Sequence, residues 1–512
     1  MERRKVVVDT YTDLKLKEYV TSALTDISES RDFVKAIEEY ISSNETRVLM
    51  ISGLRGTGKT VGVLQGIRNI NDYENTVFIN IDATAEMDCF DLRNLIESEF
   101  AEKKYIFIDE ITRVNDLVSN SGFLADKLCK SGKKVILSGT DSLALTKSEG
   151  SGLYHRAINK NVTHINFMEA KRTAGQSFKD YMEMGGLYQA DTLKDIDGLR
   201  QYIDTAVVDN ILNTLNKNKK ISSLLNLSNL ASEISKLRTI VFRIIYAIIY
   251  ASAKGMKEVN VSFIINLFHY ADSKLYDIRS LNSLVCSQMG VDERIEASEK
   301  EVLTVLEAML ELGLLVKVGN ICKEGSFQYY ITNPSIINQV LYSMVSILDT
   351  TGLEKKTNSS IKGFKGKIFE SIVVNHTKLA ADKLGFQTYY YHDMKNREVD
   401  LIVRNKLQDE FEDLFVCYEI KLTTDIDTAV VKSCWINDNE VNSFMEELGE
   451  IREKGIIYRG VDSEFSKFMS KDVYPPKNMT IEEIELQNQG IKLFSVETYL
   501  SNINHVLGVL AE

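Results

Sequence analysis

The octapeptide Gly53-Leu54-Arg55-Gly56-Thr57-Gly58-Lys59-Thr60 constrains the fold of this chain more than any other feature. It fits Gly-x-x-x-x-Gly-Lys-Thr, a pattern in which each residue type has a physical task. Gly53, Gly56 and Gly58 let the backbone curl so that its N–H groups point inward at phosphate. Lys59 is expected to reach the β- and γ-phosphates, and Thr60 to offer its hydroxyl to Mg2+. These tasks need an apolar strand before the loop and a helix after it. The run from Arg47 to Ser52 supplies the first, and Thr60 to about Asn69 the second. The positive end of that helix dipole then faces the same anion, which points to ATP. A glycine-rich turn without a ligand is the plain alternative, and the flanking strand and helix argue against it.

From here to about residue 140, strand-like runs at Val48–Ile51, Val77–Ile81, Tyr105–Ile108 and Val135–Leu137 alternate with helical stretches. Such alternation predicts an α/β fold with a parallel sheet covered on both faces. The third run ends in Asp109-Glu110, two acids at the carboxyl end of a strand, where parallel sheets gather ligands. Asp109 is expected in the magnesium shell and Glu110 to polarise the attacking water. The fourth run leads into Ser138-Gly139-Thr140. Ser138 and Thr140 are both candidates to bond the γ-phosphate or the water, with a helix cap or turn equally open.

Composition sets the wider frame. The chain has 512 residues, 44% hydrophobic and 26% charged, the balance of an ordinary globular protein of two to four domains. A net charge of −12 argues against a surface that coats nucleic acid along its whole length, while leaving room for a local basic groove. The six cysteines, at 89, 129, 286, 322, 417 and 434, form no Cys-x-x-Cys pair, so neither a zinc site nor a redox pair is signalled. The N-terminal apolar run is too short for a signal peptide. The most apolar stretch, Thr239 to Ala251, is short and contains Arg243, as a buried helix would rather than a membrane span. A cytoplasmic location is the expectation.

Helical patterns dominate residues 166–345. Near their end, Val302, Val305, Leu306, Met309, Leu312 and Leu315 share roughly one helical face. Two strand-like runs follow, Leu314–Val318 and Phe327–Ile331, in the outline of a winged helix; a plain helical bundle with a stray hairpin is the alternative. Residues 351–367, with five lysines among Ser, Thr, Asn and Gly, read as a linker. Residues 364–512 form a second α/β pattern: a helix from Lys365 to Leu384, runs at Phe386–Tyr391, Val399–Val403 and Leu414–Ile420, a helix near Val441–Glu453, and a strand at Gly455–Tyr458.

This second unit carries a polar constellation. Glu398-Val399-Asp400 opens one strand and Glu419-Ile420-Lys421 ends the next, so the two can pair as an antiparallel hairpin. Alternation puts Glu419 and Lys421 on one face; Asp400 on the neighbouring strand can sit beside Glu419, and Glu370 on the preceding helix could close the group. Carboxylates so placed are hard oxygen ligands for Mg2+, which polarises a phosphate and lowers the pKa of its bound water while the lysine positions that water. A structural ion pair between Lys421 and the acids is the alternative.

Several segments together resemble a family of prokaryotic AAA-type ATPases that join an ATPase core to a winged helix and a C-terminal domain related to restriction nucleases. The matching segments are Gly53–Thr60, Phe107–Thr112, Ile136–Leu143, His155-Arg156, Ile165–Glu169, Tyr181 with Gly185-Gly186, and Phe327–Pro334. The acidic motif matches at Gly366–Glu370, Glu398–Asp400 and Glu419–Lys421, whereas residues 190–300 match only loosely. The family pattern has Gly before the Arg and Pro-Leu-Ser-Phe-x-Glu after it; this chain has His155 and lacks the Pro. The resemblance implies that Arg156 contacts the γ-phosphate of a bound or neighbouring nucleotide. It also implies four domains: an AAA-like core at 1–165, a helical lid at 166–230, a winged helix at 231–345 and a nuclease-like domain at 346–512. Two functions follow as expectations. In one, Mg-dependent ATP turnover is coupled to a nuclease-like domain acting on DNA. In the other, ATP works a regulatory switch or scaffold whose C-terminal domain binds without cutting. A homo-oligomer or a partner protein is compatible with both.

Overall fold

The computed structural model describes residues 8–27, 29–81, 87–140, 153, 155–188, 195–212, 230–253, 259, 261–266, 287, 290–291, 296–340, 354–406, 413–424, 429, 435–436, 438–460 and 491–511. The N-terminal sheet contains β1 (Asp9–Thr12), β2 (Val48–Gly53), β3 (Thr76–Asn80), β4 (Tyr105–Asp109), β5 (Lys134–Gly139) and β6 (Ala157–Val162). Their order is β1-β3-β4-β5-β2-β6, with every pair parallel except β1 on β3. All four strands expected from the apolar runs form. The antiparallel edge strand β1 was not anticipated, because four half-exposed residues carry little apolar signal.

Alternation along each strand builds two cores. Leu49, Ile51, Phe107 and Ile136 pack on one face beneath α1 (Asp13–Ala23), α2 (Val34–Ser42) and α3 (Lys59–Ile70). Val48, Met50, Ile106, Ile108 and Leu137 pack on the other face with Leu92 and Ile96 of α4 (Cys89–Glu99). Each fully buried side chain of this kind contributes about 1.5–3 kcal/mol, so these runs hold the sheet between two layers. The strand order reverses at β2, which lies between β5 and β6. The loop after β2 therefore opens at a topological switch point, where open α/β sheets bind ligands.

A helical region follows, with α5 (Phe167–Ala174), α6 (Phe178–Met184), α7 (Ile196–Tyr202) and α8 (Leu230–Ala253). Helix α8 buries Ile240, Val241, Phe242, Ile244 and Ile245 in the interior. Among the described residues no helix is long and apolar enough to cross a membrane. Helix α9 (Glu299–Glu311) begins with a capping box, in which Ser298 and Glu301 satisfy each other's backbone N–H groups.

The hairpin after α9 is β7 (Leu315–Asn320) and β8 (Phe327–Ile331), antiparallel with Leu315 opposite Ile331. It does not stand alone. Strand β7 pairs in parallel with β9 (Gln387–His392), Gly319 opposite Tyr389. The hairpin thus extends a seven-stranded sheet of order β13-β12-β11-β10-β9-β7-β8, whose other members are β10 (Glu398–Asn405), β11 (Asp413–Lys421), β12 (Gly449–Tyr458) and β13 (Ile491–Ser495). The sheet crosses the domain boundary expected at residue 345. A two-stranded ribbon is marginal alone, and its free edge gains a partner this way.

Two local expectations are corrected. The lysine-rich segment taken as a linker enters helix α10 (Glu354–Leu384). It contains no proline, and a helix anchored by its buried Ile368, Phe369 and Ile372 propagates through it at one hydrogen bond per residue. The helix expected to run to Glu453 is α11 (Asn439–Leu448), and β12 already starts at Gly449. A Cβ at 449 would sit 2.0 Å from the Asp413 carbonyl oxygen, so only glycine admits this strand against β11. Two short helices, α12 (Val496–Ser501) and α13 (Ile503–Gly508), close the described chain.

Candidate nucleotide site and a second polar cluster

The phosphate loop leaves β2 at Gly53 and enters α3 at Lys59. Gly56 and Gly58 have φ of +79° and +74°, the left-handed region that glycine enters without strain. Lys59 is buried, and its Nζ donates to the Leu54 carbonyl at 2.9 Å. Burial lowers its pKa to about 8, against the opposing pull of Glu110 and Asp109.

Asp109 collects the loop and the neighbouring strand. Thr60 Oγ1 donates to its Oδ2 at 2.6 Å, and Ser138 Oγ donates to its Oδ1. Glu110 follows with φ +53°, a left-handed conformation that costs a non-glycine residue roughly 1–3 kcal/mol and that marks functional turns. Burial raises the Glu110 pKa, Asp109 adds to the rise, and Lys59 opposes it. The site thus brings Lys59, Thr60, Asp109 and Glu110 to the carboxyl ends of β2 and β4, the two parallel strands that flank β5. Thr60 and Asp109 offer oxygen ligands to Mg2+, and the curled loop offers N–H groups to a polyphosphate. This set fits a magnesium nucleotide.

Ser138, rather than Thr140, is the β5 side chain bonded to the acid. Thr140 lies just beyond β5, and its carbonyl accepts from Asn210 Nδ2 at 2.6 Å. Arg156 is elsewhere. Its carbonyl accepts from Val48 N, at the start of β2, whereas the phosphate loop follows the end of that strand. Its Nε bonds Asp126 Oδ2 at 3.0 Å, both side chains being partly exposed. At about 3.3 Å per residue it lies roughly 20 Å from the loop of its own chain.

Two groups at the loop carried no motif signal. Arg31 Nη1 donates to the Thr57 carbonyl, and Tyr188 N–H donates to the Gly56 carbonyl at 2.9 Å. Arg31 is 3% exposed, an unusual burial for its type, but that burial becomes visible only in three dimensions.

The second cluster lies at β10 and β11, which pair antiparallel as expected, with Leu401 opposite Tyr418. Asp400 and Glu419 are buried, and Lys421 Nζ bonds both: Asp400 Oδ2 at 3.0 Å and Glu419 Oε2 at 2.5 Å. Asp400 Oδ2 also accepts the Ile420 N–H at 2.8 Å. The register of β10 on β9 shifts between Val399 and Ile402, the stretch that contains Asp400. Glu419 Oε1 is buried with no hydrogen-bond partner. Burial raises the Glu419 pKa, Asp400 adds to the rise, and Lys421 opposes it. For Lys421, burial works against the charge, but Asp400 and Glu419 outweigh it and hold the pKa above its ordinary value.

Glu370 bonds Tyr330 and Lys367. Its Oε1 accepts from Tyr330 OH at 3.1 Å and its Oε2 from Lys367 Nζ at 2.6 Å. Burial raises the Tyr330 pKa, with Glu370 and Asp400 both adding to the rise, so the tyrosine feels both acids. Among the described residues no group of three or more His, Cys, Asp or Glu side chains is disposed to hold a metal ion. The structure brings Asp400, Glu419 and Lys421 together through the Lys421 ammonium. Asp400 and Glu419, whose Oε1 is the orphaned oxygen, are hard donors that could take a divalent cation beside the Lys421 ammonium.

Comparison with known proteins matches residues 45–171 to a family described as an AAA domain. No curated protein matches the chain. Among solved structures, Hsp104 with ATPγS and FITC casein is 11% identical at a TM-score of 0.24, covering 56% of this chain and 54% of that one. The Aeropyrum pernix Orc1 protein in complex with DNA is 10% identical at a TM-score of 0.24, covering 66% and 94%. Cdc6p from Pyrobaculum aerophilum is 13% identical at a TM-score of 0.20, covering 66% and 96%. The chain spans about half the length of Hsp104. The structural likenesses are too slight to carry an argument. The family match and the geometry of the phosphate loop agree on an AAA-type P-loop NTPase core within residues 45–171.

Proposed function

We propose that this chain is a magnesium-dependent ATPase whose nucleotide state acts on the C-terminal α/β unit. The observation that carries the reading is the convergence on Asp109: Thr60 from the phosphate loop and Ser138 from β5 both bond it, with Glu110 beside it. ATP would place its phosphates against the loop amides and Lys59, with Mg2+ held by Thr60 and Asp109. Glu110, which is half-buried, would orient the attacking water. Phosphate release by wild type, with at least about a hundredfold loss in Glu110→Gln, supports this role. Equal rates in the two proteins would remove it.

The C-terminal cluster supports two readings. In the first it is a nuclease-like site acting on DNA, with Asp400 and Glu419 holding a divalent cation, Lys421 positioning water and Glu370 auxiliary. The orphaned Glu419 oxygen favours this. In the second the unit is a non-cleaving binding or regulatory module, and the engagement of Glu370 by Tyr330 and Lys367 favours that. Incubation with duplex DNA and Mg2+ or Mn2+, with and without ATP, decides between them. New DNA ends that vanish in Lys421→Ala support the first, and intact DNA under every condition supports the second. Arg156, remote from its own loop, would reach a γ-phosphate only across a contact between two copies of the chain. Turnover that rises with protein concentration in wild type and not in Arg156→Ala is the expected signature.

A further inference from the structure

A phosphate loop binds through N–H groups, so the carbonyls of those same peptide units point away from the phosphates and need partners there. The peptide unit is planar and trans, with its C=O and N–H on opposite sides. Whatever grips an outward carbonyl therefore also aims the N–H of the following residue inward. Arg31 grips the Thr57 carbonyl and so aims Gly58 N–H. The Tyr188 N–H grips the Gly56 carbonyl and so aims Thr57 N–H.

Arg31 is itself fixed from three sides. Its Nε donates to Glu169 Oε1 at 2.5 Å and its Nη2 to Glu169 Oε2 at 3.4 Å. Glu169 stands in the first turn of α5, is 4% exposed, and also accepts the Asp32 N–H at 2.8 Å. The Arg31 backbone N–H donates to Gln65 Oε1 of α3 at 2.9 Å. The guanidinium carbon lies 5.4 Å from the Phe33 ring centre and 6.0 Å from that of Tyr188. The guanidinium fork is what makes this possible, since one planar group serves a carboxylate and a carbonyl together. A Cβ on Gly58 would lie 2.5 Å from Arg31 Nη1, which shows how closely the arginine is pressed to the loop.

We propose that Arg31, anchored by Glu169, is a positioning residue that holds the Thr57–Gly58 peptide in its phosphate-binding orientation. The proposal rests on the nucleotide reading above and adds a residue outside every motif of that site. It ties the loop to α5, so a movement of α5 would change nucleotide affinity.

The test is calorimetric titration of MgATP and MgADP into the full-length chain, alongside melting of the nucleotide-free protein. Arg31→Ala is expected to weaken both nucleotides by the same factor, at least about tenfold, the worth of one well-aligned charge-assisted hydrogen bond. Arg31→Lys keeps the buried charge but not the fork, and is expected to recover part of the loss. A merely structural role would lower the melting temperature and leave the dissociation constants of the folded protein unchanged; that result overturns the proposal. Should Arg31→Ala fail to fold, Arg31→Lys decides, and wild-type affinity in it overturns the proposal equally. A wild type that binds no nucleotide sinks the nucleotide reading and this proposal together. A wild type that binds while Lys59→Ala does not, with Arg31→Ala unaffected, sinks this proposal alone.

Discussion

Thr60 Oγ1 donates a hydrogen bond of 2.6 Å to Asp109 Oδ2, joining the first turn of α3 to the end of β4. On the proposed reading Thr60 and Asp109 hold the magnesium ion of the bound nucleotide. Asp109→Asn keeps the shape and one oxygen but loses the charge. The Mg2+ concentration for half-maximal ATP binding should rise about tenfold or more in this variant, as is typical when a metal-site residue is altered. An unchanged magnesium dependence would remove Asp109 from the metal shell.

The lowered pKa of Lys59, about 8, gives nucleotide binding a proton signature. In the free protein, burial disfavours its charge, whereas a triphosphate beside it restores the charge. ATP binding at pH 8 should therefore take up about half a proton, and almost none at pH 6.5, where Lys59 is already charged. Titrations at each pH in two buffers of different ionisation enthalpy measure this directly. Proton release at pH 8 would contradict the placement of the ammonium at the phosphates.

His376 links the N-terminal core region to the C-terminal unit. Its Nε2 accepts the Phe167 N–H of α5 at 2.8 Å, and its Nδ1 donates to the Ile372 carbonyl of α10 at 2.7 Å. Burial lowers its pKa to about 4. The folded state therefore favours the neutral ring, and the unfolded chain takes up a proton first as pH falls. Stability is lost between pH 6.5 and 4, by up to about 3 kcal/mol from this one group. His376→Gln cannot be protonated in that window, so its melting temperature should fall less than wild type between pH 6.5 and 4.5. His164, also buried and lowered to about 4, keeps part of the acid slope in the variant. Parallel curves would show that His376 does not titrate with unfolding.

Glu419 has the opposite sign. Its pKa is raised by burial and by Asp400, so folding favours the protonated acid. Its contribution is present below the ordinary carboxylate pKa and is lost as pH rises through the raised value. A divalent cation takes the ionised form, so Mn2+ should stabilise nucleotide-free protein more at pH 8 than at pH 6. Asp400→Ala should abolish that difference. No binding of Mn2+ at either pH would leave Lys421 and its two acids as a structural ion group.

The sequence makes the phosphate-facing part of the nucleotide site legible because it lies within two short motifs. Gly56, Gly58, Lys59 and Thr60 are adjacent, and Asp109-Glu110 ends an unbroken apolar strand. The four buried strands were equally clear, since strands covered on both faces read as continuous apolar runs. What the sequence hid depends on long-range packing. Arg31 and Glu169 are 138 positions apart, and neither belongs to a patterned run with the other. The union of β7 with β9 joins Gly319 to Tyr389, and no local periodicity encodes a partner strand. The helical continuation through residues 354–364 was masked by polar composition, because a helix can propagate from its packed end without an apolar stripe of its own. At the C-terminal cluster the pairing of Asp400, Glu419 and Lys421 was legible from alternation. The capture of Glu370 by Tyr330 was not, because it depends on how α10 packs against the hairpin.

The central claim is that Lys59 and the loop around it bind a magnesium nucleotide. Thermal melting of nucleotide-free wild type and Lys59→Ala, each with and without saturating MgATP, tests it most directly. The account predicts that wild type gains about 2.7 kcal/mol at a hundredfold excess over its dissociation constant, with a higher melting temperature, and that Lys59→Ala gains none. An equal shift in both proteins, or no shift in wild type, would contradict it.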